Sequence, residues 1–145
     1  MIKNKKYMKI IGLYGRGKCG KSETLGIFLR SLLHGINISD AEVKFGKDKD
    51  MCESVDRHGI VVDICPPGDT DDIVKANIQF VEQNPCDILF TVTRTKGRGR
   101  KALDNYAKSI NAELVWIKKN YNDDLDAIGQ KEANKRLAEK LFGMI

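Results

Sequence analysis

Residues 8–33 read MKIIGLYGRGKCGKSETLGIFLRSLL and contain the most informative pattern in the chain. Residues 8–14 are a short apolar run stopped by glycine, which predicts a buried strand. Residues 15–22 form a glycine-rich segment that contains lysines. Residues 22–34 carry apolar side chains at helical spacing and are followed by glycine, which predicts a helix with a glycine C-cap. The order is therefore strand, loop, helix.

The glycine-rich segment satisfies the pattern G-x-x-x-x-G-K-[ST], with the strand before it and the helix after it that this pattern requires. Glycines let a backbone curl so that successive N–H groups face an anion, and the helix adds its positive end. Lys21 is placed to reach the β- and γ-phosphates, and the Ser22 hydroxyl is placed to bind Mg²⁺. The segment predicts a nucleoside triphosphate site. The candidate nucleotide-binding residues are Gly15, Arg16, Gly17, Lys18, Cys19, Gly20, Lys21, Ser22 and Glu23.

Strand and helix patterns alternate along the rest of the chain. The predicted strands cover residues 60–64, 88–92 and 114–117, with a weaker candidate at 42–45. The predicted helices run from a Thr70 cap to about 83, over 102–110, and from about 124 to 142 behind an Asn122 cap, with one helical turn within 51–57. This alternation predicts an α/β fold with three layers, in which helices cover both faces of a mainly parallel five-stranded sheet.

Composition limits the class of protein. The chain has 145 residues, of which 41% are hydrophobic and 31% charged, so we expect one domain, residues 1–145, with a real core. No apolar run approaches the roughly 18 residues of a membrane span, and none near the N-terminus resembles a signal peptide, so we expect a cytoplasmic protein without a membrane partner. The net charge of +5 is modest and favours an anionic ligand. The spacing of the four cysteines suits neither a zinc site nor a disulfide framework.

A phosphate loop with Mg²⁺ needs a second acidic residue near the metal. Asp63 follows the run Ile60-Val61-Val62, which we predict to be a buried strand. Ligands of open parallel sheets bind at the carboxyl ends of the strands. The sequence therefore predicts that Ser22 and Asp63 are the metal-binding residues.

With these motifs the chain resembles the P-loop NTPases over nearly all of its length. Within them it is most similar to the partitioning and iron–sulfur-carrier ATPases, which dimerise around two ATP molecules. Those proteins carry a basic residue directly after the first glycine of the loop, usually lysine, and here that residue is Arg16. Their metal-binding strand runs into a Pro-Pro-Gly turn followed by an acidic residue, and residues 63–69 read DICPPGD, with one additional residue before the prolines. Their Asp-x-Asp after the second strand corresponds to Asp48-Lys49-Asp50.

The resemblance implies Mg²⁺-dependent ATP binding with slow hydrolysis, in which the nucleotide controls dimerisation and a partner. It assigns catalytic roles to Lys21 and Arg16, and water orientation to Asp48 or Asp50. An arginine finger of this kind reaches a phosphate in its own site or across a homodimer interface, and both arrangements are open at this point.

Residues 94–101, RTKGRGRK, form the second cationic segment, which we call the basic loop. Three interpretations are open: a lid over the phosphates, a contact to DNA or a protein partner, or a solvated loop. The lid interpretation supports an alternative function, a small-molecule or nucleotide kinase in which Arg94, Arg98 and Arg100 close over the phosphates. The segment after the fourth strand lacks an Asn-Lys-x-Asp element, which favours adenine over guanine.

Overall fold

The computed structural model describes residues 8–41, 51–68 and 70–145. Within them the chain alternates between strands and helices in nearly the predicted order. The elements are β1 (Lys9–Gly15), α1 (Lys21–His34), a 3-10 turn (Ile38–Asp40), β2 (Glu53–Arg57), β3 (Ile60–Cys65), α2 (Asp71–Gln83), β4 (Ile88–Arg94), α3 (Arg98–Ser109), β5 (Glu113–Lys118) and α4 (Ala127–Phe142).

The five strands of the described ranges form one sheet in the order β2-β3-β4-β1-β5. The pairings β3–β4, β4–β1 and β1–β5 are parallel, whereas β2 and β3 run antiparallel. The α/β class is therefore confirmed, and the sheet is mixed where the sequence predicted a mainly parallel one. β2 and β3 run antiparallel because a tight turn joins them. Neighbouring parallel strands would need a long crossover connection instead.

The prediction of a helical turn within residues 51–57 is wrong, because Glu53–Arg57 form the strand β2. His58 and Gly59 connect β2 to β3, and both have positive φ, 52° and 86°. Two consecutive left-handed residues are the geometry of a two-residue hairpin turn whose twist matches that of the strands. Asp56 Oδ1 accepts the Gly59 N–H at 2.9 Å and supports the turn. The strand candidate at 42–45 lies outside the described residues.

The helices cover both faces of the sheet. α1 and α4 pack on one face against alternate strand residues that include Ile11, Leu13 and Phe90. α2 and α3 pack on the other face against the intervening residues, among them Ile10 and Leu89. This alternation follows from the period of two in a strand, and it makes the central strands apolar on both sides.

Two helix ends differ from the prediction. α3 begins at Arg98 rather than near residue 102, so it includes half of the basic loop. α4 begins at Ala127, and its N-cap is Asp126, whose carboxylate accepts the Gly129 N–H at 2.7 Å; Asn122 is not the cap. The Thr70 cap of α2 is confirmed, because its hydroxyl accepts the Ile73 N–H at 3.2 Å. Among the described residues, no helix combines the length and the apolar character needed to cross a bilayer.

Candidate phosphate-binding site

The glycine-rich loop leaves the sheet between the ends of two neighbouring strands. In the parallel registers, Gly15 at the end of β1 is level with Arg94 at the end of β4. On the other side, Tyr14 is level with Lys118 at the end of β5. The strand order therefore makes the ends of β4 and β5 the immediate neighbours of the loop, whereas β3 is one strand further away.

The loop is curled by two residues in the left-handed region. Lys18 has a φ of 59°, and Gly20, which directly precedes α1, has a φ of 99°. A side chain in this region is uncommon outside glycine, asparagine and aspartate, so the Lys18 conformation indicates a backbone shaped by its surroundings. The loop ends at the N-terminus of α1, where the first N–H groups and the helix dipole favour an anion.

Lys21 lies inside this curl with only 3% of its surface exposed. Its Nζ donates hydrogen bonds to the carbonyl oxygens of Gly15 and Arg16, each at 2.8 Å. The side chain therefore folds back from the first turn of α1 across the start of the loop. This geometry holds the ammonium where a phosphate in the loop would meet it, and hydrogen bonds from an ammonium to phosphate are stronger than those to neutral carbonyls.

The loop packs closely against the rest of the molecule at two of its glycines. A Cβ on Gly15 would lie 2.7 Å from the Lys119 carbonyl oxygen, and a Cβ on Gly20 would lie 2.5 Å from Asn134 Oδ1. Both positions therefore require glycine for close packing. Asn134, a buried residue of α4, also donates to Glu23 Oε2 at 2.9 Å. Asn134 was not predicted from the sequence. The sequence feature that could have indicated it is an amide side chain on the apolar face of α4.

Ser22 and Glu23 occupy the next two positions of α1 and are half-buried. Because the Glu23 carboxylate accepts the Asn134 amide, its role is to hold α1 to α4 beside the loop. Ser22 follows Lys21 directly, so its hydroxyl belongs to the first turn of α1. Cys19 is buried, with its Sγ 3.0 Å from the position of a Gly15 Cβ, so it fills space beneath the loop.

Arg94 brings a second cation to the loop. Its Nη2 lies 3.6 Å from the position that a Cβ on Gly17 would take. The same side chain borders a cavity of about 330 Å³, which is also lined by Gly68, Thr70, Asp71, Lys96, Gly97, Arg98 and Gly99. Loop and cavity therefore share Arg94 as a common wall.

Arg100 is held against two aromatic rings in this structure. Its guanidinium stacks on Trp116 at 4.1 Å and on Tyr14 at 4.4 Å, and it donates to the Thr95 carbonyl at 3.0 Å. Of the three arginines that the lid interpretation used, Arg94 faces the loop, Arg98 is exposed at the start of α3, and Arg100 packs on aromatic rings.

Lys119 is a further cation that the sequence did not single out. It follows β5, is 6% exposed, and donates through Nζ to the Asn120 carbonyl at 3.3 Å. Burial lowers its pKa below the ordinary lysine value, and the neighbouring Cys19 and Glu23 offset part of that decrease. Its backbone N–H donates to the Tyr14 carbonyl at 2.7 Å, which continues the β1–β5 ladder to the edge of the loop.

The Arg16 side chain contacts the segment that follows β5. Its guanidinium lies 4.2 Å from the centre of the Tyr121 ring and 3.5 Å from Asp123 Oδ1, and its side chain is 61% exposed. A stacked but exposed arginine at the rim is accessible to a second molecule.

Asp63 does not lie at this edge, so the expectation that it shares a metal with Ser22 does not fit the structure. Asp63 is level with Leu89 on β4, and Leu89 is level with Ile10 on β1. Ile10 lies five residues before Gly15, a distance of about 16 Å along the strand at ~3.3 Å per residue. The carboxyl group is fully buried, and neither oxygen has a hydrogen-bond partner among the described residues. Burial raises its pKa, and the nearby Ser54 and Cys86 side chains offset only part of that rise.

The expected water-orienting residues, Asp48 and Asp50, lie outside the described residues, as does Asp69. Over the described ranges, no group of three or more histidine, cysteine or acidic side chains is arranged to hold a metal by itself. A Mg²⁺ ion at the loop would therefore rely on Ser22 together with oxygens from a bound phosphate and water, which is the usual way in which this ion is held.

Comparison with protein-family models, with curated proteins and with solved structures finds no match for this chain. The structure brings the loop, Lys21 and Arg94 together at one sheet edge, and it separates Asp63 from them.

Proposed function

We propose that the chain is a P-loop nucleotide-binding protein that binds the triphosphate of ATP with Mg²⁺ at residues 15–22 and hydrolyses it slowly. One observation carries this proposal: the Lys21 ammonium is buried within the curl of the loop, held by two backbone carbonyls at the N-terminus of α1. A bound anion would meet that ammonium, the first N–H groups of the helix and Arg94 at the same place.

The charge arrangement supports triphosphate over a neutral ligand. Lys21 lies inside the curl of the loop, and Arg94 approaches Gly17 from the end of β4. Two such cations match the charge that a γ-phosphate develops during transfer, so they act by electrostatic stabilisation. Mg²⁺, held by Ser22 and the nucleotide, would neutralise the remaining charge on the phosphate oxygens.

Calorimetric titration with ATP, GTP and ADP, each with and without Mg²⁺, tests the proposal. We expect Mg²⁺-dependent triphosphate binding that weakens tenfold or more in Lys21→Met, which keeps the buried stem and removes the ammonium; tenfold is about 1.4 kcal/mol. Lys140→Ala, an exposed lysine in the last turn of α4, is the matched control. Absence of nucleotide binding by the wild type, or equal binding by Lys21→Met, would contradict the proposal.

We further propose that ATP controls association of two copies, as in the partitioning-like ATPases that the sequence resembles. The exposed guanidinium of Arg16 supports this mode, because it is accessible to a nucleotide held by a second chain. Light scattering should show a doubled mass with a non-hydrolysable ATP analogue and a monomer with ADP, and Arg16→Ala should lower turnover at saturating ATP. An unchanged mass with both nucleotides would exclude the association.

Phosphoryl transfer to a small acceptor is the second candidate function. The cavity that shares Arg94 with the loop favours it, because an acceptor there would lie beside the phosphates. A panel of nucleoside monophosphates and small hydroxy compounds discriminates the two functions. A kinase would consume ATP only when one acceptor is supplied and would keep its mass, whereas the ATPase would turn over without any acceptor.

A further inference from the structure

Three of the four cysteines gather on the sheet face that α2 and α3 cover, away from the phosphate loop. Cys65, at the end of β3, is fully buried in that core, and Cys52 and Cys86 pack against it half-buried. The fourth, Cys19, lies beneath the loop. The linear spacing of these residues gives no sign of the cluster, because strand pairing brings them together.

The hairpin register places Cys52 opposite Cys65. In the antiparallel β2–β3 ladder, Glu53 pairs with Ile64 and Ser54 with Asp63. Continued by one residue, the same register makes Cys52 the partner of Cys65. Directly opposed residues of an antiparallel pair have Cβ atoms about 4.5–5.5 Å apart and point to the same face, whereas a disulfide spans about 3.5–4.5 Å between Cβ atoms, so a closer approach of the two strand ends of up to about 1 Å allows the bond.

The two thiols belong to the same packed cluster and are chemically unequal. Their side chains hydrogen-bond to one another, and this bond lowers the pKa of the Cys52 thiol and raises that of Cys65. Burial raises the pKa of Cys65 further. Cys52 is also the more accessible of the two, so it combines access with the greater thiolate fraction.

We propose that Cys52 and Cys65 are an oxidisable pair that forms a disulfide across the β2–β3 hairpin. With a peroxide as the oxidant, the Cys52 thiolate attacks a peroxide oxygen, the O–O bond breaks, and Cys52 becomes a sulfenic acid as hydroxide leaves. The Cys65 sulfur then attacks the sulfenic sulfur, the S–O bond breaks, and water leaves with the Cys65 proton. Two thiols and one hydrogen peroxide therefore give one disulfide and two waters.

Oxidation would alter the segment that leads to the cavity. Cys52 Sγ donates to Asn77 Oδ1 at 3.2 Å, and the Asn77 amide donates to the Pro67 carbonyl at 2.6 Å. A disulfide removes the Cys52 proton and so the first of these bonds. Pro67 belongs to the turn between Cys65 and α2, and the first residues of α2 line the cavity beside Arg94.

Peptide mapping of the full chain tests the pair. The reduced protein is treated with hydrogen peroxide, the remaining thiols are alkylated, and the digest is analysed by mass spectrometry before and after reduction. We expect an intramolecular Cys52–Cys65 disulfide that dithiothreitol reduces. Cys19 and Cys86 should remain as thiols after the peroxide treatment and should therefore be found alkylated. Cys86→Ser should retain the link, and Cys52→Ser should abolish it while leaving Cys65 reduced.

Three results would overturn the proposal. These are a Cys65–Cys86 link, links between two molecules only, or oxidised Cys52 that advances to sulfinic acid while Cys65 stays free. The decisive measurement is made on the wild type, so the test does not depend on the folding of any variant. The readout requires no nucleotide, so failure of the nucleotide proposal leaves this one intact.

Discussion

At the scale of single residues, Gly20 is where backbone conformation and side-chain packing meet. Its φ of 99° is one that side chains rarely adopt, and Asn134 fills the space that a Cβ would need. Gly35, at the other end of α1, has a φ of 66°, and nothing lies within 4 Å of the position that its Cβ would take. The two glycines therefore separate the cost of the backbone from the cost of the clash.

We expect Gly35→Ala to lower the free energy of unfolding by about 1–2 kcal/mol, the cost of a left-handed residue with a Cβ. Gly20→Ala should cost more, because Asn134 must also move, and it should weaken nucleotide binding. Urea denaturation of both variants measures the difference. In an Asn134→Ala background the excess cost of Gly20→Ala should shrink; an excess that stays the same would show that Asn134 is not its source.

The buried Asp63 predicts a pH dependence. Because its folded pKa is raised above the ordinary 3.8, the folded state holds the proton after the unfolded state has released it. The contribution of Asp63 to the free energy of unfolding is fully present below pH 3.8 and is lost as the pH rises toward the folded pKa. Relative to Asp63→Asn, the wild type should lose about 1.4 kcal/mol for each unit by which the pKa is raised.

Denaturant titrations of wild type and Asp63→Asn from about pH 3 to about pH 8 check this dependence. The variant keeps the size of the side chain and removes the titration. A wild type that gains stability over Asp63→Asn as the pH rises would mean that a cation stabilises the ionised carboxylate and outweighs the cost of its burial.

At the scale of elements, the start of α4 depends on one aspartate. Asp126 accepts the Gly129 N–H, and its charge also favours the positive end of the helix. Asn122 instead supports the preceding turn by accepting the Asp124 N–H at 3.0 Å. Both residue types are good caps, and local geometry makes Asp126 the cap.

We expect Asp126→Ala to lower the free energy of unfolding by about 1 kcal/mol, within the range of lost N-caps. Asn122→Ala should cost less, because it removes a bond outside the helix. Thermal denaturation of the two variants under the same conditions gives the comparison. A larger loss for Asn122→Ala would place the functional cap where the sequence pattern first suggested it.

At the scale of the whole molecule, the strand order determines what surrounds the loop. β4 lies between β1 and β3, so the end of β4 supplies Arg94 to the loop, and β3 carries Asp63 into the core under α2 and α3. The short β3 ends level with Gly12 and Thr91, below the edge at which the loop begins. A metal-binding acid on β3 would have to lie beyond the strand.

Local sequence patterns are sufficient to predict the strand, loop and helix over residues 8–34, because apolar runs, glycines and caps act over a few neighbouring residues. They also predict the α/β class and the place of Lys21 in the loop. The pairing of distant strands and helices is what brings Arg94 and Asn134 to the loop, keeps Asp63 away from it, and places Cys52 and Cys65 in one cluster. Those relations depend on which strands pair and in which register, and pairing is fixed by contacts between distant segments that no local pattern records.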